Sequence, residues 1–234
     1  MTILALQARL DSSRLPGKAM LPLGGRPLVF RVMDALRFLP CDKKVLACSQ
    51  DSVSSFAPLA EEAGFDIIPG PKDDVLARYC LVIRKTGAER VIRATGDNPF
   101  VFTDAAALLN EEAMAHNADY AGYSEIPPGA GVESVSAAAL LRAEMEARSL
   151  AEREHVCPYL YGNPEKFKLY MPSAPIKWRR PDIRITIDTE EDYKTALVLY
   201  EELLSLPMEE RNFGENVIAA FLRMTNNPSS GTMP

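Results

Sequence analysis

Short apolar runs alternate along this chain with segments whose apolar residues recur at every third or fourth position. Apolar runs of about four to eight residues between turn residues fit buried strands, and the longer period fits one apolar helix face. "TILAL" reads as a first strand and "LVFRVMDALRFL" as the helix after it. "KKVLACS" is a second strand, and "SVSSFAPLAEEAG" a helix closed by Gly64, since glycine takes the left-handed conformation that ends a helix without a Cβ penalty. "FDIIPG" predicts a strand, "DDVLARYCLVIRKTG" a helix stopped by Gly87, and "ERVIRATGD" another strand. "TDAAALLNEEAMAHN" predicts a helix capped by Thr103 or Asp104. This β-α-β-α rhythm implies an α/β fold, a mainly parallel sheet with helices on both faces.

The rhythm loosens after Tyr120. "YSEIPPGAGVESV" is a Pro- and Gly-rich excursion into a short strand, "SAAALLRAEMEARS" and "REHVCPYLYGNPEKF" read as helices, and "KFKLYMP" as a strand. "IRITID" restores a buried strand, and "TEEDYKTALVLYEELLS" is a strong helix behind a threonine and three acids, which satisfy its N-terminal amides and dipole. "GENVIAAFLRM" predicts a last helix and "TNNPSSGTMP" a frayed end. The reading is one domain over residues 1–225 with an inserted lobe around 122–175, then a flexible tail over 226–234.

Composition narrows the function. The 234 residues are 47% hydrophobic and 25% charged, ordinary for a globular chain, and the net charge of -6 provides no global basic field for nucleic acid or an anionic membrane. No segment approaches the roughly 18 apolar residues of a membrane span. "TILAL" is too short for a secretory h-region, and Cys41, Cys48, Cys80 and Cys157 form no C-x-x-C pair. They read as reduced core thiols of a cytoplasmic protein.

Any anion site must therefore be local, and the stretch after the first strand is where one would form. "QARLDSSRLPGK" carries Arg9, Arg14 and Lys18 among Asp11, Ser12, Ser13, Pro16 and Gly17, a composition that does not favour a helix. It is not a Walker loop, because Ser12 and Ala19 stand where Gly and Ser/Thr are needed, and G-x-G-x-x-G is absent. It does leave the carboxyl end of a strand, where open α/β sheets bind ligands, and three cations with backbone amides can surround a triphosphate. On spacing alone, a solvated loop whose cations pair with nearby acids fits as well.

The same stretch, with "LGGRPL" after it, resembles the nucleotide-binding signature of the sugar-acid cytidylyltransferases, the makers of CMP-activated sialic acid and KDO, and of their SpsF-like spore-coat-polysaccharide relatives. "GPKDDVLARY", "RATGDNPFV", "GVESVSAAAL", "REHVCPYLYGNPEKF" and "RITIDTEEDY" resemble further SpsF-like segments in the same order. Thr95 and Asn98 depart from the KDO enzymes' Gln and Glu, and the middle of the chain follows the SpsF-like group, so the acceptor does not carry over. The resemblance implies a Rossmann-like nucleotidyltransferase fold with a small dimerisation lobe, and a homodimer. It also implies transfer of CMP from CTP to a sugar acid or related acceptor, with release of pyrophosphate in polysaccharide or glycoconjugate biosynthesis. Nucleotide contacts carried over are Ala8, Arg9, Ser13, Arg14, Gly17, Lys18, Asp74 and Arg78.

Asp97 and Asp188 each end a predicted strand on the side where the cationic loop emerges. Carboxylates there can hold Mg²⁺, which binds one or two carboxylates plus phosphate oxygens and keeps several waters. Taken singly, Asp97 also fits a turn before Asn98-Pro99 and Asp188 a helix-capping neighbour. Together with the resemblance they give a catalytic set of Arg14, Lys18, Asp97 and Asp188, with Asp97 and Asp188 as metal ligands. Glu133, Glu154, His155 and Arg184 are candidates for the acceptor. A metal-dependent nucleotide-sugar glycosyltransferase is the alternative, but "TGDNP" lacks its usual D-x-D. A non-catalytic nucleotide-binding regulator is a second, and it could dispense with the two acids.

Overall fold

The computed structural model describes residues 1–12 and 14–226, so Ser13 and the expected tail beyond Asn226 lie outside the described residues. β1 (Thr2–Ala8) leads through the cationic loop to a hairpin of β2 (Pro22–Leu23) and β3 (Arg26–Pro27), then α1 (Leu28–Leu36). Next come β4 (Lys43–Ser49), α2 (Val53–Ala63), β5 (Asp66–Gly70), α3 (Val75–Thr86), β6 (Arg90–Thr95) and α4 (Thr103–Ala115). The second half supplies β7 (Tyr120–Ala121), β8 (Glu133–Ser136), α5 (Ala137–Glu146), α6 (Leu150–His155) and α7 (Pro158–Tyr161). β9 (Leu169–Tyr170), α8 (Glu190–Leu203) and α9 (Gly214–Asn226) complete it.

Among the described residues, seven strands form one sheet in the order β5-β4-β1-β6-β8-β7-β9. β5, β4, β1 and β6 are mutually parallel, and only β8 runs against its neighbours β6 and β7. The alternation within each strand decides what each face meets. Ile3, Ala5, Val45, Val91 and Val135 pack under α3, α5 and α7. Leu4, Leu6, Leu46, Cys48, Ile92 and Ala94 pack under α1, α2 and α4. A third cluster, with Phe100, Phe102, Trp178 and Ile185, joins α8 and α9. Burying one such large apolar side chain contributes about 1.5–3 kcal/mol. Cys48, Cys80 and Cys157 are buried and all four cysteines are free thiols. No helix among the described residues is long and apolar enough to cross a membrane.

Four local expectations are corrected. "IRITID" is extended but joins no sheet. Ile183, Ile185 and Ile187 are buried, as alternation predicts, yet Ile185 N–H donates to the Pro128 carbonyl (2.9 Å) and Ile187 N–H to that of Asp97 (3.0 Å). Those acceptors belong to loops beyond the strand ends, so no ladder forms. "REHVCPYLYGNPEKF" is not one helix: Val156 takes φ 74°, ψ -60° between α6 and α7, and Pro158, which has no N–H to give to a preceding turn, opens α7 as a new helix. The α4 N-cap is Phe102, without a side-chain cap. Thr103 Oγ1 donates instead to the Asn212 carbonyl (3.3 Å), and Asp104 Oδ1 accepts from Gly214 N–H (3.0 Å), tying α4 to the start of α9. The strand in "KFKLYMP" shrinks to Leu169–Tyr170. Residues 122–175 include β8, which pairs directly with β6 inside the sheet, and α5, which packs on α3.

Candidate active site

Parallel register carries the carboxyl ends of β1 and β6 to the same level, with Gln7 beside Thr95. The cationic loop leaves β1 there, and the Gly96-Asp97 turn leaves β6. The turn lies close against β1: Gly96 N–H donates to the Gln7 carbonyl at 2.8 Å, and a Cβ on Gly96 would stand 3.0 Å from that of Ala8. Between loop and turn opens a cavity of about 400 Å³, within the range of small-ligand sites. Ala8, Arg9, Arg14, Lys18, Arg78, Asp97, Glu154, His155 and Asp188 all line it.

Lys18 is the centre of the charge arrangement. Its Nζ donates to Asp97 Oδ2 (3.0 Å), Asp188 Oδ1 (3.3 Å) and the Ile187 carbonyl (2.6 Å). The Lys18 and Asp188 side chains are each only 14% exposed, so this contact is poorly screened. Asp188 also accepts from Arg14 at 2.8 Å and Arg184 at 2.7 Å. Asp97 Oδ1 accepts from Thr95 Oγ1 (2.7 Å). Asp188 reaches this point because Thr189 caps α8 in a capping box with Asp192, whose carboxylate also accepts from Asp188 N–H at 2.9 Å. Two carboxylates thus share one ammonium. Among the described residues no group of three or more His, Cys, Asp or Glu side chains is placed to hold a metal.

The remaining candidates divide by position. Arg9 faces Glu154 at 3.7 Å across the cavity mouth, and His155 is exposed at the end of α6. Arg78 is 1% exposed and donates to the carbonyls of Pro71 and Lys72. Burial pulls its pKa below the ordinary value. It props the 70–74 loop against the cavity. Asp74 is off the cavity wall: it caps α3 by accepting from Ala77 N–H (2.9 Å) and pairs with Arg153 (2.7 Å). Gly17 is also off the wall, and its φ of 67° shapes the turn that delivers Lys18. Arg184 stands behind Asp188, and Glu133 behind Arg93.

A family sequence model for cytidylyltransferases matches residues 3–217. The chain belongs to the cytidylyltransferase family. It is 31% identical over 204 residues to the spore coat polysaccharide biosynthesis protein SpsF of Bacillus subtilis, covering 84% of this chain and 85% of that protein. A cytidylyltransferase structure from Leptospira borgpetersenii is similar with a TM-score of 0.84 at 24% identity, covering 100% of this chain and 98% of the other. CMP:2-keto-3-deoxy-manno-octonic acid synthetase complexed with CTP is similar with a TM-score of 0.65 at 15% identity, covering 87% and 99%. These two likenesses carry the nucleotidyltransferase fold. The protein is a CTP-dependent nucleotidyltransferase.

Of the other wall residues of the cytidylyltransferase's cavity, Gln7 and Ser12 belong to the stretch that the sequence singled out, whereas Arg93, Gly129 and Thr186 were missed. Gln7 and Arg93 did leave a signal: each is a polar side chain directly between two apolar residues of its strand, in "TILALQA" and "RVIRAT". Gly129 and Thr186 left none, because they meet only through the tertiary fold.

Proposed function

We propose that this cytidylyltransferase transfers CMP from CTP to a hydroxyl of a small sugar-acid-like acceptor in cytoplasmic polysaccharide or glycoconjugate biosynthesis. The observation that carries the reading is one cavity joining three cations of a strand-end loop to Asp97 and Asp188. The acceptor oxygen attacks the α-phosphorus, the α–β phosphoanhydride bond breaks, pyrophosphate leaves, and the hydroxyl proton passes to solvent water. Arg9, Arg14 and Lys18 hold the triphosphate, and Lys18 with Arg14 neutralises charge on the departing pyrophosphate. Positioning and charge stabilisation supply most of the catalysis in such transfers.

The residues fit Mg²⁺. Two carboxylates already sharing a cation, with no third His, Cys, Asp or Glu among the described residues placed to complete a metal site with them, suit an ion that completes its shell with phosphate oxygens and water. Held by Asp97 and Asp188, it would supply charge neutralisation at the α-phosphate and a more acidic acceptor hydroxyl.

Calorimetry with the four ribonucleoside triphosphates tests the nucleotide assignment. CTP should bind selectively, and equal affinity for ATP would overturn it. Arg14→Ala should weaken CTP binding about tenfold. That is the low end for a bond to a charged group, because the side chain is 67% exposed. Unchanged affinity would return the loop to a solvated role. A homodimer belongs to the same proposal. Met145, Leu150, Tyr161, Met171 and Ile176 are exposed apolar side chains in or beside the 122–175 segment, an accumulation that favours a partner surface. Light scattering should give twice the chain mass at micromolar concentration, and a monomer would remove the dimer from the proposal.

A further inference from the structure

A continuous row of polar side chains crosses four neighbouring strands and ends in the cavity. Tyr120 on β7 donates to Glu133 Oε1 on β8 at 2.9 Å. Glu133 Oε2 accepts from Arg93 Nη1 on β6. Arg93 Nη2 donates to Gln7 Oε1 on β1 at 3.1 Å. Strand register makes the row possible, since Arg93 lies opposite Glu133 and beside Ala5, two residues before Gln7 on the same face of β1. Around it this face of the sheet is apolar, with Ile3, Val45, Val91 and Val135. Gln7 and Arg93 line the cavity, whereas Glu133 and Tyr120 stand behind it.

Such a row is costly to keep. Removing an ion pair from water costs several kcal/mol per ion, and well-packed apolar residues often do as well for stability. Arg93 nonetheless stays charged: burial alone lowers its pKa, but the pull of Glu133, with smaller contributions from Tyr79 and Cys157, carries it above the ordinary value. Burial, reinforced by Glu133, raises the Tyr120 pKa, so its hydroxyl keeps the proton that it donates.

The row determines which way the Gln7 amide points. A guanidinium only donates hydrogen bonds, so the Gln7 atom facing Arg93 must be the oxygen. That leaves the amide nitrogen, with its two N–H groups, for the cavity. Arg93 Nε is also buried without a hydrogen-bond partner among the described residues. This corner of the cavity therefore offers the Gln7 amide as a donor, beside the Gly96-Asp97 turn that the Gln7 carbonyl anchors.

We propose that Gln7 reads the acceptor by donating its amide N–H groups to the acceptor's carboxylate, and that Arg93, Glu133 and Tyr120 are positioning residues that lock the amide in this orientation. The inference rests on the proposed reaction and names the residue that selects an acid at the same site.

Gln7→Glu is the decisive variant, because it keeps an oxygen for Arg93 and turns the donor corner into an anionic one. Tyr120→Phe removes only the far anchor and leaves every cavity residue in place. Both would be compared with the wild type by calorimetry for CTP and by pyrophosphate release at saturating CTP and Mg²⁺. The acceptors are a panel of sugar acids including 2-keto-3-deoxy-manno-octonate, each beside its neutral amide. Gln7→Glu should raise the acceptor KM at least tenfold with the CTP Kd within twofold of wild type. Tyr120→Phe should raise the same KM a few-fold with kcat unchanged, and the wild type should prefer each acid to its amide. An unchanged acceptor KM in Gln7→Glu, a loss of CTP affinity instead, or equal turnover of acid and amide would each overturn the assignment. A wild type that binds CTP but uses no acid of the panel also overturns it. Failure of the wild type to bind CTP would instead sink the proposed function.

Discussion

Asp97→Asn and Asp188→Asn are each expected to lower pyrophosphate release by about 10²–10³-fold, the usual cost of removing one preorganised electrostatic group, while the protein remains folded. Asparagine keeps the size and turn-forming ability of aspartate, so it removes charge without removing shape. Asp97→Asn still offers an oxygen to Thr95 Oγ1, and Lys18 retains Asp188 and the Ile187 carbonyl. Asp188→Asn loses more, since that carboxylate also meets Arg14 and Arg184. Arg14 and Arg184 are 67% and 49% exposed, however, so solvent screens most of what they contribute. A loss of about 1 kcal/mol, or a fall of roughly 2–4 °C in Tm, is the expected stability effect. Turnover measured at limiting Mg²⁺ beside a thermal melt separates the two roles. An Asn variant that keeps wild-type turnover would make that acid a turn or cap residue, and a variant that fails to fold would make it structural.

Much of this site was legible in the sequence, and the limits have physical causes. The cations are local: a loop rich in Asp, Ser, Pro and Gly directly after an apolar strand marks a strand-end site. Arg9, Arg14 and Lys18 do line the cavity. The parallel sheet was legible because each strand is a short apolar run and each helix has its own period. Asp188 was read as the end of a strand, and it lines the cavity although the segment before it joins no sheet. Alternation reports that Ile183, Ile185 and Ile187 are buried and does not report against what. The roles of Asp74 and Arg78 were hidden for the same reason. A cap acceptor and a buried guanidinium on two carbonyls look, in sequence, like charges available to a ligand. The Gln7–Arg93–Glu133–Tyr120 row needed the strand order itself, because β8 enters the sheet between β6 and β7 from far along the chain.

The same dependence on tertiary placement makes Gly129 the most sensitive backbone position in the site. Gly129→Ala is expected to destabilise the protein by about 3 kcal/mol or more. Its φ of 98° lies where L side chains are strained, and a Cβ there would stand 2.8 Å from the Ile185 carbonyl carbon and 2.8 Å from Thr186 Cα. Backbone strain of this kind costs of order 1–3 kcal/mol, and overpacking commonly adds about 1–3 kcal/mol more. Unlike a flexible side-chain tip, the 185–186 backbone cannot turn away, since Ile185 N–H is bound to the Pro128 carbonyl and Ile187 N–H to that of Asp97. Relief requires the 183–188 segment to lift, and lifting it takes the Ile187 carbonyl and Asp188 away from Lys18. The variant should therefore melt about 6–12 °C lower, at roughly 2–4 °C per kcal/mol for a chain of this size. It should also lose turnover at temperatures where it is still fully folded. A melt within 2 °C of wild type would show that the 128–130 loop yields freely. Wild-type turnover alongside a lowered melt would show that Asp188 is held by the α8 cap alone, and that the close approach at Gly129 serves packing only.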